Sequence, residues 1–285
     1  MTDINLSMTD GVATARPSAR NAMTLSMWKG MAKTFGELGQ DKDVRAVILT
    51  GAGEDFSVGA DIVEFGAVRE DATASTAYEV AVDACSDAIA GVPQPVIGVI
   101  AGYCLGGGCH LSMACDFRFA KPTAKLGIPA ANLSIVYGVR STRRLLSLVG
   151  ITSAKRILFA AERIDARAAL HMGLVDRVSD DPLRDAYGLA AQISSKAPLS
   201  IAGAKYILNE AVMGGDGSLA QAMIDHASDS DDYREARQAF AETRAVVRRV
   251  FSLILSQPPV PMSTTDENRS APDRSTSGQK AGSDT

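Results

Sequence analysis

Histidine is scarce in this chain: three occur in 285 residues, at positions 110, 171 and 226. Cysteine is nearly as sparse, with four, at 85, 104, 109 and 115, and none form a C-x-x-C pair. Neither type recurs at the short spacings of a zinc site, so no metal is expected, and the thiols read as reduced cysteines of a cytosolic protein. Basic residues are not in excess either. Twenty-nine Lys and Arg face 33 Asp and Glu, for a net charge of −4. That balance argues against nucleic acid or an anionic membrane as partner. No apolar run approaches the roughly 20 residues of a membrane span. MTDINLSMTDG at the N-terminus has no basic-then-apolar leader. The expectation is a soluble protein of the cytoplasm.

What the chain does have is apolar content: 46% of its residues are hydrophobic, enough to fill one large domain or two unequal ones. VRAVILT (44–50) and VIGVIA (96–101) are short runs rich in β-branched residues, each ended by glycine, and read as buried strands. Helix-prone stretches at about 24–39 and 73–90 flank the first run. FRFA (117–120), a helical stretch at 139–149 and LVDRV (174–178) continue the alternation, which indicates an α/β class. From about 182 the strand signals stop, and helices are expected at 182–196, 199–213, 218–228 and 231–251. The last carries Ala236, Phe240, Val247 and Phe251 on one side, a face that packs on its own core or on a neighbouring subunit. The resulting division is a core over 1–197, a helical region over 198–255 and a disordered tail over 256–285, rich in Pro, Ser, Thr and charge.

Two glycine-bearing loops follow the two clearest strands: GAGEDFSVGAD (51–61) and GYCLGGGCH (102–110). Ligands of open α/β folds sit beyond the carboxyl ends of strands, where both loops are placed. The second runs into a helical stretch whose first turn has unpaired N–H groups and a positive dipole end. Such amides hold a developing oxyanion, each commonly worth about 3–4 kcal/mol of barrier. The other reading is that Gly106–Gly108 only lets a helix pack closely on its neighbour. A dinucleotide site is disfavoured, because GAGEDF lacks the third glycine of that fingerprint.

IGVIAGYCLGGGCHLSMACDF (97–117) resembles the signature of the enoyl-CoA hydratase/isomerase, or crotonase, superfamily. The similarity continues through RPSARNAM (16–23), VRAVILTGAGEDFSVGADIVEF (44–65), RILFAAERIDARAALHMGLVDRV (156–178) and DYREARQAFAETR (232–244). It implies a crotonase-like spiral of ββα repeats with a C-terminal helical trimerisation region. It also implies an acyl-CoA thioester as substrate, coenzyme A being carried by the substrate and no separate cofactor being needed. By the same resemblance, the backbone amides of Ala60 and Gly107 polarise the thioester carbonyl. Ser18, Ala19, Arg20 and Val58 contact the coenzyme A portion, and the assembly is a homotrimer or a dimer of trimers.

The chain departs from that pattern where hydratases carry two glutamates. His110 stands at the first position and Ala130, in GIPAANLSIVYG (127–138), at the second. General acid–base groups contribute a factor of about 10²–10⁴ each, so hydration is disfavoured. Isomerisation, decarboxylation or C–C cleavage through a thioester enolate fits better, and a non-catalytic acyl-CoA-binding protein is the alternative. His110 and Tyr137 are the polar candidates, His110 as a neutral imidazole near a helix start and Tyr137 by resemblance to the methylmalonyl-CoA decarboxylase branch. Each also has a structural reading: a histidine satisfied by a carbonyl, and a packed tyrosine with its hydroxyl in water. Asp61 is expected to brace its loop and Glu64 to lie on a solvated face. Cys104, Cys109, His171 and His226 read as structural.

Overall fold

The computed structural model describes residues 4–17, 21–244 and 246. The chain opens with a hairpin of β1 (Ile4–Thr9) and β2 (Val12–Pro17), joined by Asp10-Gly11 with φ of 50° and 74°. Two central residues with positive φ match the twist of flanking strands, and Asp-Gly is a favoured pair there. The repeating unit is two strands and a helix. β3 (Ala22–Met23) leads to α1 (Leu25–Gln40); β4 (Ala46–Thr50) and β5 (Gly59–Ala60) lead to α2 (Ile62–Val68) and α3 (Ala72–Gly91). β6 (Val96–Ile100) and β7 (Tyr103–Leu105) precede α4 (Gly107–Ala114). β8 (Phe117–Ala120) and β9 (Lys125–Gly127) precede a 3₁₀ turn (Pro129–Leu133) and α5 (Val139–Ala160). β10 (Ile164–Asp165), α6 (Ala166–Met172) and β11 (Arg177–Val178) follow. Four more helices complete the described chain: α7 (Pro182–Ser194), α8 (Pro198–Met213), α9 (Ala220–Ser228) and α10 (Asp231–Ala241).

The first strands of successive units join one six-stranded sheet, ordered β1-β2-β4-β6-β8-β11 and parallel except for the opening hairpin. The second strands form a smaller layer, β3-β5 and β7-β9-β10, bridged at Ser57 and Cys104. This is the expected spiral of ββα repeats. All five residues of β4 are buried, because both faces of the large sheet are covered, which is why its sequence shows no alternation. Val47 and Leu49 face the main core with Trp28, Phe35 and Ile100, while Ala46 and Ile48 meet Ala186 and Ala190 of α7.

α1 forms as its pattern requires. Thr24 caps it by accepting from the Met27 amide at 3.2 Å, and Met27, Trp28, Met31, Phe35 and Leu38 form its buried stripe. The helix expected at 139–149 ends at a real break: α5 has two halves, and Gly150 between them has φ +70°. α8 is fastened by Lys205, 8% exposed, whose Nζ donates to Asp116 Oδ2 at 2.7 Å and to the Gln94 carbonyl at 2.9 Å. The described residues all belong to a single unit. The tail over 256–285, with Val247 and Phe251 of the last expected helix, lies outside the described residues. Among those described, no helix is long and apolar enough to cross a membrane.

Candidate active site

The first glycine loop is clamped by Asn21, which is buried in a left-handed conformation with φ 59°. Its side-chain amide donates to the carbonyls of Ala52 and Asp55 at 2.7 Å each and accepts from the Ala52 amide at 2.9 Å. Its own carbonyl accepts from Ser57 Oγ at 2.5 Å. The loop therefore arrives at Gly59 and Ala60 with little freedom. Asp61 then caps α2, accepting from the amides of Val63 and Glu64 at 2.8 and 3.3 Å, as expected. Glu64 differs from expectation. It is half-buried, and its carboxylate accepts from the Leu25 amide at 2.6 Å, so it caps α1 and ties α2 to it.

The three glycines at 106–108 each have a different reason. Gly106 has φ +51°, which a side chain would strain. A Cβ on Gly107 would stand 2.9 Å from Trp28 Cζ2, and one on Gly108 would stand 2.5 Å from the Ser57 carbonyl. Close packing thus explains Gly108, and the same closeness brings the two loops together. A Cβ built on Gly59 would be 3.3 Å from Gly107 N, and one built on Gly107 would be 3.5 Å from Ala60 N.

The two backbone amides lie close together. Asp61 N–H donates to the Met23 carbonyl at 3.0 Å, so strand alternation turns Ala60 N–H away from β3. Gly107 is the first residue of α4, whose first-turn amides have no acceptor within the helix, and Gly106 has no side chain to supply one.

His110 is the fourth residue of α4 and is 3% exposed. Its Nδ1 lies 2.6 Å from Ser141 Oγ, and its buried Nε2 has no hydrogen-bond partner among the described residues. The ring meets Trp28 and Tyr137 edge-on, with centroids 6.4 and 6.2 Å away. Burial, and then the Arg144 guanidinium, push the imidazole down to about 3, so it is neutral, as expected. The cause is desolvation, not the helix end. Among the described residues, the buried Tyr137 hydroxyl also has no partner in hydrogen-bond geometry, so that hydroxyl is not in water. Burial raises its pKa well above 10, and nearby Ser141 opposes this only in part.

Ala130 is buried in the 3₁₀ turn, which lies against the glycine loop: Pro129 Cδ is 3.9 Å from a Cβ built on Gly106. Val58, 43% exposed, stands at the rim beside Gly59. Ser18, Ala19 and Arg20 lie outside the described residues. Cys104 and Cys109 are fully buried, and burial pushes Cys104 well above the ordinary thiol range. His171 and His226 are exposed on α6 and α9 and take no part.

A model of the family described as enoyl-CoA hydratase/isomerase matches residues 11–248. The short-chain-enoyl-CoA hydratase of Clostridium acetobutylicum is 34% identical over 237 residues, covering 81% of this chain and 90% of that protein. An enoyl-CoA hydratase/isomerase family protein from Hyphomonas neptunium superposes with a TM-score of 0.81 at 30% identity, covering 86% of this chain and 97% of that one. Enoyl-CoA hydratase from Bacillus anthracis gives 0.76 at 31% identity, covering 86% and 98%.

The chain belongs to the enoyl-CoA hydratase/isomerase family.

In this family member, several site residues were not singled out by the sequence. Trp28 Nε1 donates to Tyr78 Oη at 2.8 Å, Tyr78 lies under the Arg69 guanidinium at 4.7 Å, and Arg69 pairs with Glu79. That belt links α1, the end of α2 and α3, and reaches the glycine loop through Trp28. Ser141 and Arg144 come from α5. Trp28 carried a faint signal as the single tryptophan of the chain; the others are ordinary helix residues. A separate apolar groove of about 620 Å³, with Met113, Leu148, Leu208 and Met213 in its lining, contains none of Ala60, Gly107, His110 or Tyr137.

Proposed function

We propose that the protein is an acyl-CoA enzyme that forms a thioester enolate and hands it on without hydration. The observation that supports this reading is the closeness of the Ala60 and Gly107 backbone amides, with Ala60 N–H turned from β3 and Gly107 opening α4 without a side-chain cap. A thioester oxygen between them gains negative charge as the enolate forms, and two prepaid N–H donors stabilise that charge more than they stabilise the ground state. In a decarboxylation, for example, the bond from Cα to the carboxylate breaks, carbon dioxide leaves, and the electron pair enters the thioester carbonyl. Cα then takes a proton from a neighbouring acid or from water. His110 and Tyr137, which meet edge-on, are the polar partners this reading assigns to the enolate, and neither is a carboxylate.

Hydration needs a base to activate water. At the two positions where the resemblance puts glutamates stand a buried imidazole pushed to about 3 and an alanine. Isomerase, decarboxylase or C–C lyase chemistry is therefore favoured. We further propose a homotrimer or dimer of trimers. α9 buries none of its residues and α10 only Ala239, which leaves their apolar side chains for a neighbour.

The deciding experiment incubates the purified protein with crotonyl-CoA and with a panel of malonyl-type, β-keto and enoyl thioesters, and measures binding of the same esters by calorimetry. The expected result is no hydration of crotonyl-CoA and turnover of a member of the panel. Rapid hydration overturns the reading. Binding of esters with no turnover makes the protein an acyl-CoA-binding protein instead.

A further inference from the structure

His110 has two ring nitrogens, and the protein accounts for one of them. Nδ1 is 2.6 Å from Ser141 Oγ, while Nε2 is buried and unpartnered. Trp28 and Tyr137 stand against the ring edge-on, which leaves it no room to turn and seek another acceptor. A neutral imidazole carries one N–H, and the partner of one nitrogen decides what the other presents.

Ser141 has a single hydroxyl proton to place and is 2% exposed, so bulk water does not take it. It is the third residue of α5. Four residues back, the Tyr137 carbonyl accepts from Thr142 Oγ1 at 3.4 Å. Ser141 and Tyr137 are neighbours: the Ser141 hydroxyl acts on the phenol in the direction that lowers its pKa, but the two are not in hydrogen-bond geometry. Among the described residues, the acceptor that Ser141 Oγ meets in hydrogen-bond geometry is His110 Nδ1, at 2.6 Å. Were the proton on Nδ1, Ser141 would accept it, and its own O–H would be left without an acceptor in good geometry. Leaving such a donor unpaired costs about 1–3 kcal/mol.

The imidazolium does not rescue that arrangement. The charged groups that act on the ring are Arg144 and Asp87, and Arg144 is already bonded to Ser86 Oγ at 3.0 Å and Asp87 Oδ1 at 2.8 Å.

We propose that Ser141 is a positioning residue, donating its hydroxyl proton to Nδ1 and fixing His110 as the Nε2–H tautomer. The imidazole then presents a proton donor to the substrate and is no base. An unpaired buried donor is satisfied by an oxygen on the ligand, so the fitting acyl group has a carbonyl or carboxylate oxygen near the α-carbon. This last step rests on the enolate reading above. His110 then steadies that oxygen or returns a proton to carbon, and does not abstract one.

The tautomer is read directly by long-range ¹H–¹⁵N NMR on the full ¹⁵N-labelled chain, with His110 assigned by the signals lost in His110→Gln. The expected spectrum has a protonated Nε2 and an unprotonated Nδ1, unchanged between about pH 5 and pH 8. Ser141→Ala is expected to convert that signal to the other tautomer or to a mixture. A protonated Nδ1 in the wild type overturns the proposal, as does a Ser141→Ala spectrum that keeps the wild-type pattern. Should Ser141→Ala not fold, the wild-type spectrum still decides the tautomer. No turnover is measured, so an enzyme inactive on every thioester with Nε2–H intact would sink the reaction and leave this inference standing.

Discussion

Gly107 is pressed against Trp28: a Cβ on the glycine would stand 2.9 Å from Cζ2 and 3.2 Å from the next ring carbon. The indole has nowhere to go, being 1% exposed and held by its hydrogen bond to Tyr78 at 2.8 Å. Gly107→Ala must therefore move the start of α4, and with it the amide that faces Ala60. We expect a loss of about 1–3 kcal/mol in urea unfolding, from overpacking. Turnover of an active thioester should fall by about 10²–10³, the usual effect of one misplaced oxyanion donor. Full activity in this variant would exclude the Gly107 amide from the chemistry.

The depressed His110 pKa has a consequence for stability. In the unfolded chain the imidazole titrates near its ordinary 6.5, whereas in the folded protein it holds off protonation to about 3. Between those values the unfolded state binds the extra proton. His110 thus favours folding least in acid: its contribution is intact above about pH 6.5 and is lost as pH falls towards 3. Lowering pH from 7 to 5 should cost about 2 kcal/mol from this residue alone. Chemical denaturation of wild type and His110→Gln at both pH values measures it, and an equal loss in the two proteins would refute the assignment.

Donor and base roles for His110 separate on one pair of variants. The amide of a glutamine at 110 places an N–H near the position of Nε2 but accepts no proton. If His110 only donates, His110→Gln should keep activity within about tenfold of wild type, whereas His110→Ala loses about 10² or more. Equal loss in both would mean that the ring takes up a proton during turnover.

Much of this arrangement was legible before any coordinates. Buried β-branched runs ending in glycine marked β4 and β6, and the glycine loops after them hold the two amides. The opening hairpin was missed although Asp10-Gly11 is a strong hairpin signal and Ile4, Leu6 and Met8 alternate with polar residues; in the fold Ile4 alone of β1 is buried, so that alternation marks no core face. The short strands of the second layer have two or three residues each, too few for a period to show. Glu64 was misread as solvated because its partner is a backbone amide 39 residues away, which side-chain patterns do not encode. Ser141 is invisible in sequence for the same reason: 31 residues separate it from the ring it touches.

Lys205 tests what holds the C-terminal helices to the sheet. Its ammonium is buried between Asp116 and the Gln94 carbonyl, and Asp116 also accepts from the Val96 amide at 2.7 Å. Removing the cation leaves a carboxylate at the start of β6 without its counter-charge. Lys205→Ala should destabilise the protein by about 3 kcal/mol, the scale for breaking a largely buried pair. Lys205→Arg is not a neutral swap, because a planar guanidinium does not reproduce the point contact of an ammonium with the Asp116 carboxylate and the Gln94 carbonyl. A change under about 0.5 kcal/mol in urea unfolding of Lys205→Ala would show that α8 is held by its apolar contacts alone.

Phe240 bears on the assembly. It is 89% exposed on α10, and Tyr233 on the same helix and Leu219 and Ile224 before it are 46%, 57% and 49% exposed. Burying a phenylalanine contributes roughly 1.5–3 kcal/mol, so a helix that leaves one bare within its own chain has more to gain from a neighbour than from folding alone. Phe240→Asp removes nothing the single chain uses and puts a charge where a second copy would close. We expect light scattering to give a mass of three or six chains for wild type and a smaller one for Phe240→Asp. The circular dichroism of the two should match, since α10 is capped by Ser230 through the Tyr233 amide independently of Phe240. A wild type that scatters as a monomer would leave these helices without the role proposed for them.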